Sequence, residues 1–193
     1  NAKEERAAII KYFRAIGADA DNVAFVDVGY SGTIQKYISK LLGSQTLGMY
    51  MITRNNISVL EDNGNSTLGF LGDKLDPMHP FIAQSFFLEK LLAAKSPQLV
   101  CHKKIDACTK PVFRDTTQAE VEQYEKIDEM HESISRFIDK VMLIRREFMP
   151  EFEVSKQYVS DIYTLLCEES SKNKLEFSAD IFLDDFYVGR GLV

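Results

Sequence analysis

The chain has 193 residues, 45% of them hydrophobic, enough for one ordinary domain or two small ones with a sizeable core. Its 29 acidic residues outnumber its 23 basic ones, which gives a formal net charge of −6. Binding to nucleic acid or to an anionic membrane needs clustered Lys and Arg, so we expect no nucleic-acid partner. The apolar runs fall short of the roughly 20 residues that cross a bilayer, which predicts no membrane span.

The first half of the chain alternates between helical and extended patterns. Apolar residues at helical spacing predict the helices, and short valine-rich or alternating runs predict the strands, the first of them buried on both faces. Two strands that flank a helix favour a parallel crossover. In chain order we predict a helix at 4–16, a strand at 23–28, a helix at 34–42, strands at 46–53 and 66–71 around a polar loop at 54–65, and a helix at 81–94.

The second half is mainly helical. Strands at 98–102 and 110–114 bracket a polar segment and predict a β-hairpin. Apolar residues that recur three and then four positions apart predict one long amphipathic helix at 117–148, about 45 Å in length. A helix at 155–169 and an acidic-aromatic segment at 180–187 complete the chain.

These elements predict an α/β fold. We expect a small, mostly parallel, Rossmann-like sheet with flanking helices, followed by a helical C-terminal part that carries the hairpin. The predicted domain boundary separates residues 1–97 from residues 98–193.

The segment VAFVDVGYSGTIQ, residues 23–35, carries the chemistry that the sequence offers. A strand ends on an acid there, and glycines and hydroxyl residues lead into a helix whose first amides lack helical partners, an arrangement that binds phosphate. The acid would hold a hydroxyl group or a magnesium ion, and an arginine at the end of the next strand suits a phosphate. The predicted ligand-binding residues are Asp27, Gly29, Tyr30, Ser31, Gly32, Thr33, Gln35 and Arg54.

Three other interpretations of this turn stay open. A nucleotide-binding fold is one, although the glycines follow G-x-x-G spacing and the second strand ends without the acid that binds ribose. A nucleophilic Asp27, as in haloacid-dehalogenase-like phosphatases, is another, but the expected general acid two residues later is Gly29. In the third, Asp27 and Ser31 cap the turn, Gly32 permits close helix packing, and nothing binds.

Cysteines and the first residues bear on context. Cys101, Cys108 and Cys167 form no paired framework, so we expect a reducing, cytoplasmic location. The C-H-x5-C spacing around His102 matches no compact zinc site, and we predict no metal there. The chain begins Asn1-Ala2-Lys3 without methionine, from which we expect a fragment of a longer protein with a neighbouring domain.

The blocks VAFVDVGYSGTIQKYISKLLG, LGMYMIT, FFLEKLLAAKSPQLVCH and FLDDFYVGRG resemble a region of large bacterial proteins, the predicted haloacid-dehalogenase-like hydrolases. The similar region lies downstream of the phosphatase-like domain, and these proteins often sit near cell-surface polysaccharide and glycosyltransferase genes. The hydrolase domain's own aspartate motif, lysine and metal-binding acids are not recognisable in this chain. The resemblance therefore implies an associated domain without a complete catalytic set.

The sequence thus leads to one expected function and two alternatives. The first is an accessory domain that binds a sugar phosphate or nucleotide sugar at Asp27–Gln35. The second is a Rossmann-like glycosyltransferase or methyltransferase that grips its donor with the same turn. The third is an interaction scaffold that uses the long helix, which predicts a homodimer or another protein partner and indifference to small anions.

Overall fold

The computed structural model describes residues 2–105, 108–171, 184–185 and 189–190. The protein is of the α/β class, with a three-stranded parallel sheet and an antiparallel hairpin, as the sequence predicts. The helices are α1 (Ala2–Ala15), α2 (Thr33–Leu42), α3 (Ser58–Glu61), α4 (Pro80–Ala83), α5 (Ser85–Leu91), α6 (Gln118–Glu147) and α7 (Lys156–Ser171). The strands are β1 (Ala24–Asp27), β2 (Leu47–Arg54), β3 (Ser66–Leu75), β4 (Leu99–Ile105), β5 (Cys108–Phe113), β6 (Asp184–Asp185) and β7 (Gly189–Arg190).

Contacts along the chain define two compact units. Unit 1 comprises Asn1–Ile82 and Pro97–Asp115, and unit 2 comprises Ala83–Ser96 and Thr116–Val193. This division differs from the predicted boundary between residues 97 and 98. The hairpin of β4 and β5 belongs with the sheet in unit 1 because α1 packs against both of its strands, and α5 belongs to unit 2, where it contacts α6.

The sheet of unit 1 has the order β1-β2-β3, and both strand pairs are parallel. The predicted crossover from β1 through α2 to β2 is therefore confirmed as parallel. The prediction that the first strand is buried on both faces is wrong, because the side chain of Val26 is 82% exposed. A strand at the edge of so small a sheet has one neighbour and receives less cover than the central strand β2.

The core of unit 1 forms around β2. Ile52 and Thr53 are fully buried in the strand, and Tyr50 clusters with Ile57 and Leu60. The last two residues come from a 3₁₀ turn at Asn55–Ile57 and from α3, which lie inside the segment predicted as a polar loop. The apolar residues of that segment are too few to produce a helical period, so only their packing reveals them as core.

The described part of unit 2 is mainly helical, with the short strand pair of β6 and β7 near its end. Helix α6 runs for 30 residues and begins at a capping box, in which the Thr117 amide donates to Glu120 Oε2 at 2.7 Å and the Thr117 hydroxyl accepts from the Glu120 amide at 3.3 Å. The long predicted helix is confirmed. The single helix predicted at 81–94 is instead two helices, α4 and α5, with a break at Gln84.

The remaining predictions fall at the end of the chain and on the membrane. Of the acidic-aromatic segment at 180–187, only the backbone of β6 lies within the described residues, where it pairs with β7 in antiparallel fashion. Among the helices of the described residues, none combines the length and the apolar character needed to cross a membrane.

Candidate functional site

The turn between β1 and α2 is held by its own polar groups. Asp27 Oδ1, at the end of β1, accepts a hydrogen bond from the Gly29 amide at 2.8 Å. The hydroxyl oxygens of Ser31 and Thr33 lie 3.0 Å apart and share a hydrogen bond. The predicted acid and hydroxyl residues therefore lie in two separately bonded pairs within one short turn at the carboxyl end of β1, where open parallel sheets bind their ligands.

Gly32 is the residue before the first turn of α2, and no side chain caps that end of the helix. Its φ of 68° lies in the left-handed region that favours glycine. A Cβ atom at this position would overlap the Leu60 side chain and lie 3.1 Å from Ile57 Cγ1. Gly32 thus lets α2 start close to the core and leaves its first amides without a side-chain acceptor.

Arg54 ends β2 beside this turn. Its backbone amide donates to the Tyr30 carbonyl at 2.9 Å, which joins the end of β2 to the turn that follows β1. The Nε atom of Arg54 is shielded from solvent and has no hydrogen-bond partner among the described residues. Such a group is rare, since a buried donor without a partner costs about 1–3 kcal/mol.

Gln35 lies in the interior, although the sequence predicts it to bind ligand. Its side chain is 1% exposed and its Nε2 donates to the Thr46 carbonyl, the Thr46 hydroxyl and the Ser66 carbonyl at 3.0–3.1 Å. Its Oε1 accepts from the Tyr50 hydroxyl at 2.7 Å. These contacts give Gln35 a structural part, tying α2 to β2 and β3. The pattern of α2 gives no sign of this, because a glutamine among helical residues usually faces solvent.

Charge at the turn reaches into this network. Burial, and next the negative charge of Asp27, raise the pKa of Tyr50 to about 12. The Tyr50 hydroxyl therefore stays protonated at neutral pH and remains a donor to Gln35. The negative charge of Asp27 thus affects the pKa of a buried tyrosine in the same unit.

Metal binding depends on how the acidic, His and Cys side chains of the protein are grouped. Within the described ranges, no group of three or more His, Cys, Asp or Glu side chains is arranged to hold a metal ion. Asp27 fits magnesium only in the mode in which one carboxylate and the oxygen atoms of a bound phosphate share the ion with water. The magnesium prediction thus depends on a phosphate ligand.

Sequence reasoning missed a cavity of about 730 Å³ between α1 and the hairpin, whose lining includes Glu4, Lys11, Cys101 and His102. His102 is 8% exposed, its ring lies 4.9 Å from that of Tyr12, and its Nδ1 atom has no partner among the described residues. His102 is buried by α1, which is about 90 residues away in the sequence, so the residues around His102 give no sign of its burial.

Comparisons of the chain with protein-family models, with curated proteins and with solved structures found no match.

Proposed function

We propose that unit 1 binds a phosphate-bearing ligand, such as a sugar phosphate or a nucleotide sugar, at the turn that follows β1. In this proposal the chain is an accessory, non-catalytic domain of a haloacid-dehalogenase-like hydrolase linked to surface-polysaccharide biosynthesis. The resemblance described above supports the hydrolase and polysaccharide context, and the three cysteines support a cytoplasmic location. The geometry of the turn supports the ligand.

Arg54 is the observation that carries the proposal. Among the described residues, the Nε of Arg54 has no partner; it is shielded at the carboxyl end of β2, and the Arg54 backbone is bonded to Tyr30 of the turn. Because Nε is closed to solvent in this structure, the guanidinium would have to turn toward a bound phosphate, whose oxygen would then supply the missing acceptor. Hydrogen bonds between charged groups are about twice as strong as neutral ones, so this contact favours an anion.

The first turn of α2 supplies further donors. The Lys36 amide makes the first helical hydrogen bond, to the Gly32 carbonyl at 2.9 Å, so the amides before it have no partner within the helix. The positive end of the helix dipole favours an anion at the same place. Thr33, at the start of the helix, is exposed and leaves this end open.

Asp27 has a different part in the proposal. A carboxylate repels phosphate, but it accepts well from the hydroxyl groups of a sugar. Within the described residues its Oδ1 alone is engaged, by the Gly29 amide. With magnesium present, the same carboxylate would share the ion with the phosphate. Asp27 therefore selects for the part of the ligand that is not phosphate.

The transferase alternative uses the same turn and ranks second. The strand that would carry the ribose-binding acid ends in Arg54, which suits a phosphate better than a ribose diol. Turnover of a sugar nucleotide or of S-adenosylmethionine by this chain would favour a transferase over an accessory domain.

The test is calorimetric titration of the chain with inorganic phosphate, a sugar phosphate and a nucleotide sugar, each with and without magnesium. We expect Arg54→Gln to weaken binding of the phosphate compounds at least about 10-fold, the loss of one charge-assisted hydrogen bond. Asp27→Asn should keep inorganic phosphate binding and change the preference among sugars. Gly32→Val is unsuitable as a probe, since its side chain would collide with Leu60.

Arg14→Gln is the matched control. Arg14 lies on α1, where its exposed side chain meets Asp19 at 3.6 Å, so the same change removes the same charge away from the turn. Binding should be unchanged in this variant. Unaltered binding in a folded Arg54→Gln protein would place the ligand elsewhere, and no binding of any phosphate compound would contradict the proposal outright.

A further inference from the structure

The C-terminal half of α6 exposes large apolar side chains in the part of the chain that the structure describes. The exposed fraction is 66% for Phe137, 43% for Ile144 and 77% for Phe148, and Val141 between them is partly exposed. We name these four residues the α6 seam. Single exposed apolar residues are ordinary, but a continuous row of them on one helix marks a contact surface.

The α6 seam continues a heptad pattern that begins in the buried part of the helix. Ile127 and then Met130, Ile134 and the seam residues follow one another at spacings of three and four. Ile127 is fully buried, so the unit covers the start of this row and leaves its end uncovered. Phe148 keeps the helical position, because its amide donates to the Ile144 carbonyl at 3.0 Å. A 3-4 repeat is the pattern of helices that pair side by side.

We propose that the α6 seam pairs with the same seam of a second copy of this chain, with the two helices antiparallel. This goes beyond the proposed ligand site and does not depend on it. The occupant and its direction follow from the charges that flank the seam: Lys140 and Glu147 lie along one edge, and Arg145 lies along the other.

Direction decides which charges meet. In a parallel pair, the edge that carries Lys140 faces the edge that carries Arg145 of the second copy, so like charges oppose each other twice. In an antiparallel pair, each edge faces its own counterpart, and Lys140 meets Glu147 of the second copy in two equivalent places. Glu147 already contacts Arg146 of its own helix at 2.7 Å, an exposed pair of small value that does not prevent this.

The same register stacks the apolar residues. Phe137 lies opposite Phe148 of the second copy, and Val141 lies opposite its Ile144, which gives four layers over about 16 Å of helix. An interface of this length belongs to the small class, below about 1,200 Å² in total. We therefore expect a dimer that forms and dissociates with concentration.

Sedimentation velocity of the whole chain between about 5 and about 500 μM tests the proposal, a range that brackets the micromolar dissociation constants of weak complexes. Wild type should shift from monomer to dimer across this range. Ile144→Glu should abolish the shift. Leu143→Glu is the control, because Leu143 is similarly exposed, at 47%, but lies about 100° around the helix from Ile144 and off the row of the seam. Its variant should dimerise as wild type does.

Charge exchange tests the direction. Lys140→Glu should weaken an antiparallel dimer at least about 10-fold, and the double variant Lys140→Glu with Glu147→Lys should restore it. In a parallel dimer, Lys140→Glu would instead strengthen association by meeting Arg145. A stronger dimer in that variant overturns the direction proposed.

Three results would overturn the pairing itself. One is a monomer at every concentration. Another is equal weakening by Leu143→Glu and Ile144→Glu, which would indicate unspecific association. The third is a monomer that binds anionic phospholipid vesicles and loses that binding on Ile144→Glu, which would make the seam a membrane-surface helix.

Discussion

Two regions of this protein handle burial in opposite ways. Beneath α2, polar groups are taken out of water and partnered, as Gln35 and Tyr50 show with one continuous network from helix to sheet. Along the C-terminal half of α6, apolar groups such as Phe137 are left in water. The first region fixes a fold, because an unmatched polar group there is costly. The second region favours association, because a partner that covers these apolar side chains removes them from water.

The largest effect is expected from Gln35→Leu, which disrupts the polar network beneath α2. The variant removes the donor to Thr46 and Ser66 and the acceptor of the Tyr50 hydroxyl. The Thr46 hydroxyl and carbonyl keep their bonds to Asn65 and Ser66, so the Tyr50 hydroxyl is the group left unmatched. We expect unit 1 to lose roughly 2–4 kcal/mol of stability, about 1–3 kcal/mol for that unmatched group and the rest for the lost bonds to Thr46 and Ser66. Amide hydrogen exchange in β2, measured against urea unfolding, reports the loss from unit 1 alone.

Lys36→Leu provides the comparison for that variant. Its exposed neighbouring position on α2 receives the same side chain without losing a buried bond, and its stability should stay within about 0.5 kcal/mol of wild type. Equal stability of the two variants would mean that the network does not hold α2 on the sheet.

An intermediate effect, dependent on pH, is expected from Tyr50→Phe. The variant should cost about 1 kcal/mol at pH 8, the value of one buried hydrogen bond. Because burial and Asp27 raise the folded pKa of Tyr50 to about 12, above its usual 10, the stabilising contribution is complete below pH 10 and is lost as pH rises toward 12. Unfolding curves at a series of pH values should therefore show wild type losing stability relative to Tyr50→Phe over that window. Two pKa units correspond to about 2.7 kcal/mol, so the variant should become the more stable protein near pH 12.

The exposed tyrosine of α2 supplies the control. Tyr37 is 58% exposed, and Tyr37→Phe should stay within about 0.5 kcal/mol of wild type, because an exposed substitution changes stability little. A stability advantage of wild type over Tyr50→Phe that grows above pH 10 would show that the sign of the Tyr50 contribution is reversed.

The smallest effect on stability is expected from a substitution in the exposed part of α6. Phe137→Gln should change the stability of the monomer by less than about 0.5 kcal/mol, because the ring is exposed and gains nothing from folding. Ile127→Gln on the same helix places an amide where the side chain is fully buried and should cost about 3 kcal/mol or more. Denaturation at low protein concentration separates the two, and a large loss in Phe137→Gln would show that the seam packs within its own chain.

Much of the fold was predictable from the sequence. Helices α1, α2, α6 and α7 and the three parallel strands follow from the period of their apolar residues, since the spacing of side chains on a helix or strand is a local property. The placement of Asp27 at a strand end, before a turn and a helix, follows in the same way. For the candidate site, the sequence identified the turn and Arg54 but not which of their atoms are free.

Which side chains are covered was not predictable from the sequence. The polar Gln35 is buried and the apolar Val26 is exposed, the reverse of what their side chains suggest. His102 is buried by α1, from the start of the chain. The helices and strands and their order could be predicted because they depend on residues only a few positions apart in the sequence. Burial depends on surfaces brought together from distant parts of the chain, and only the packed structure contains them.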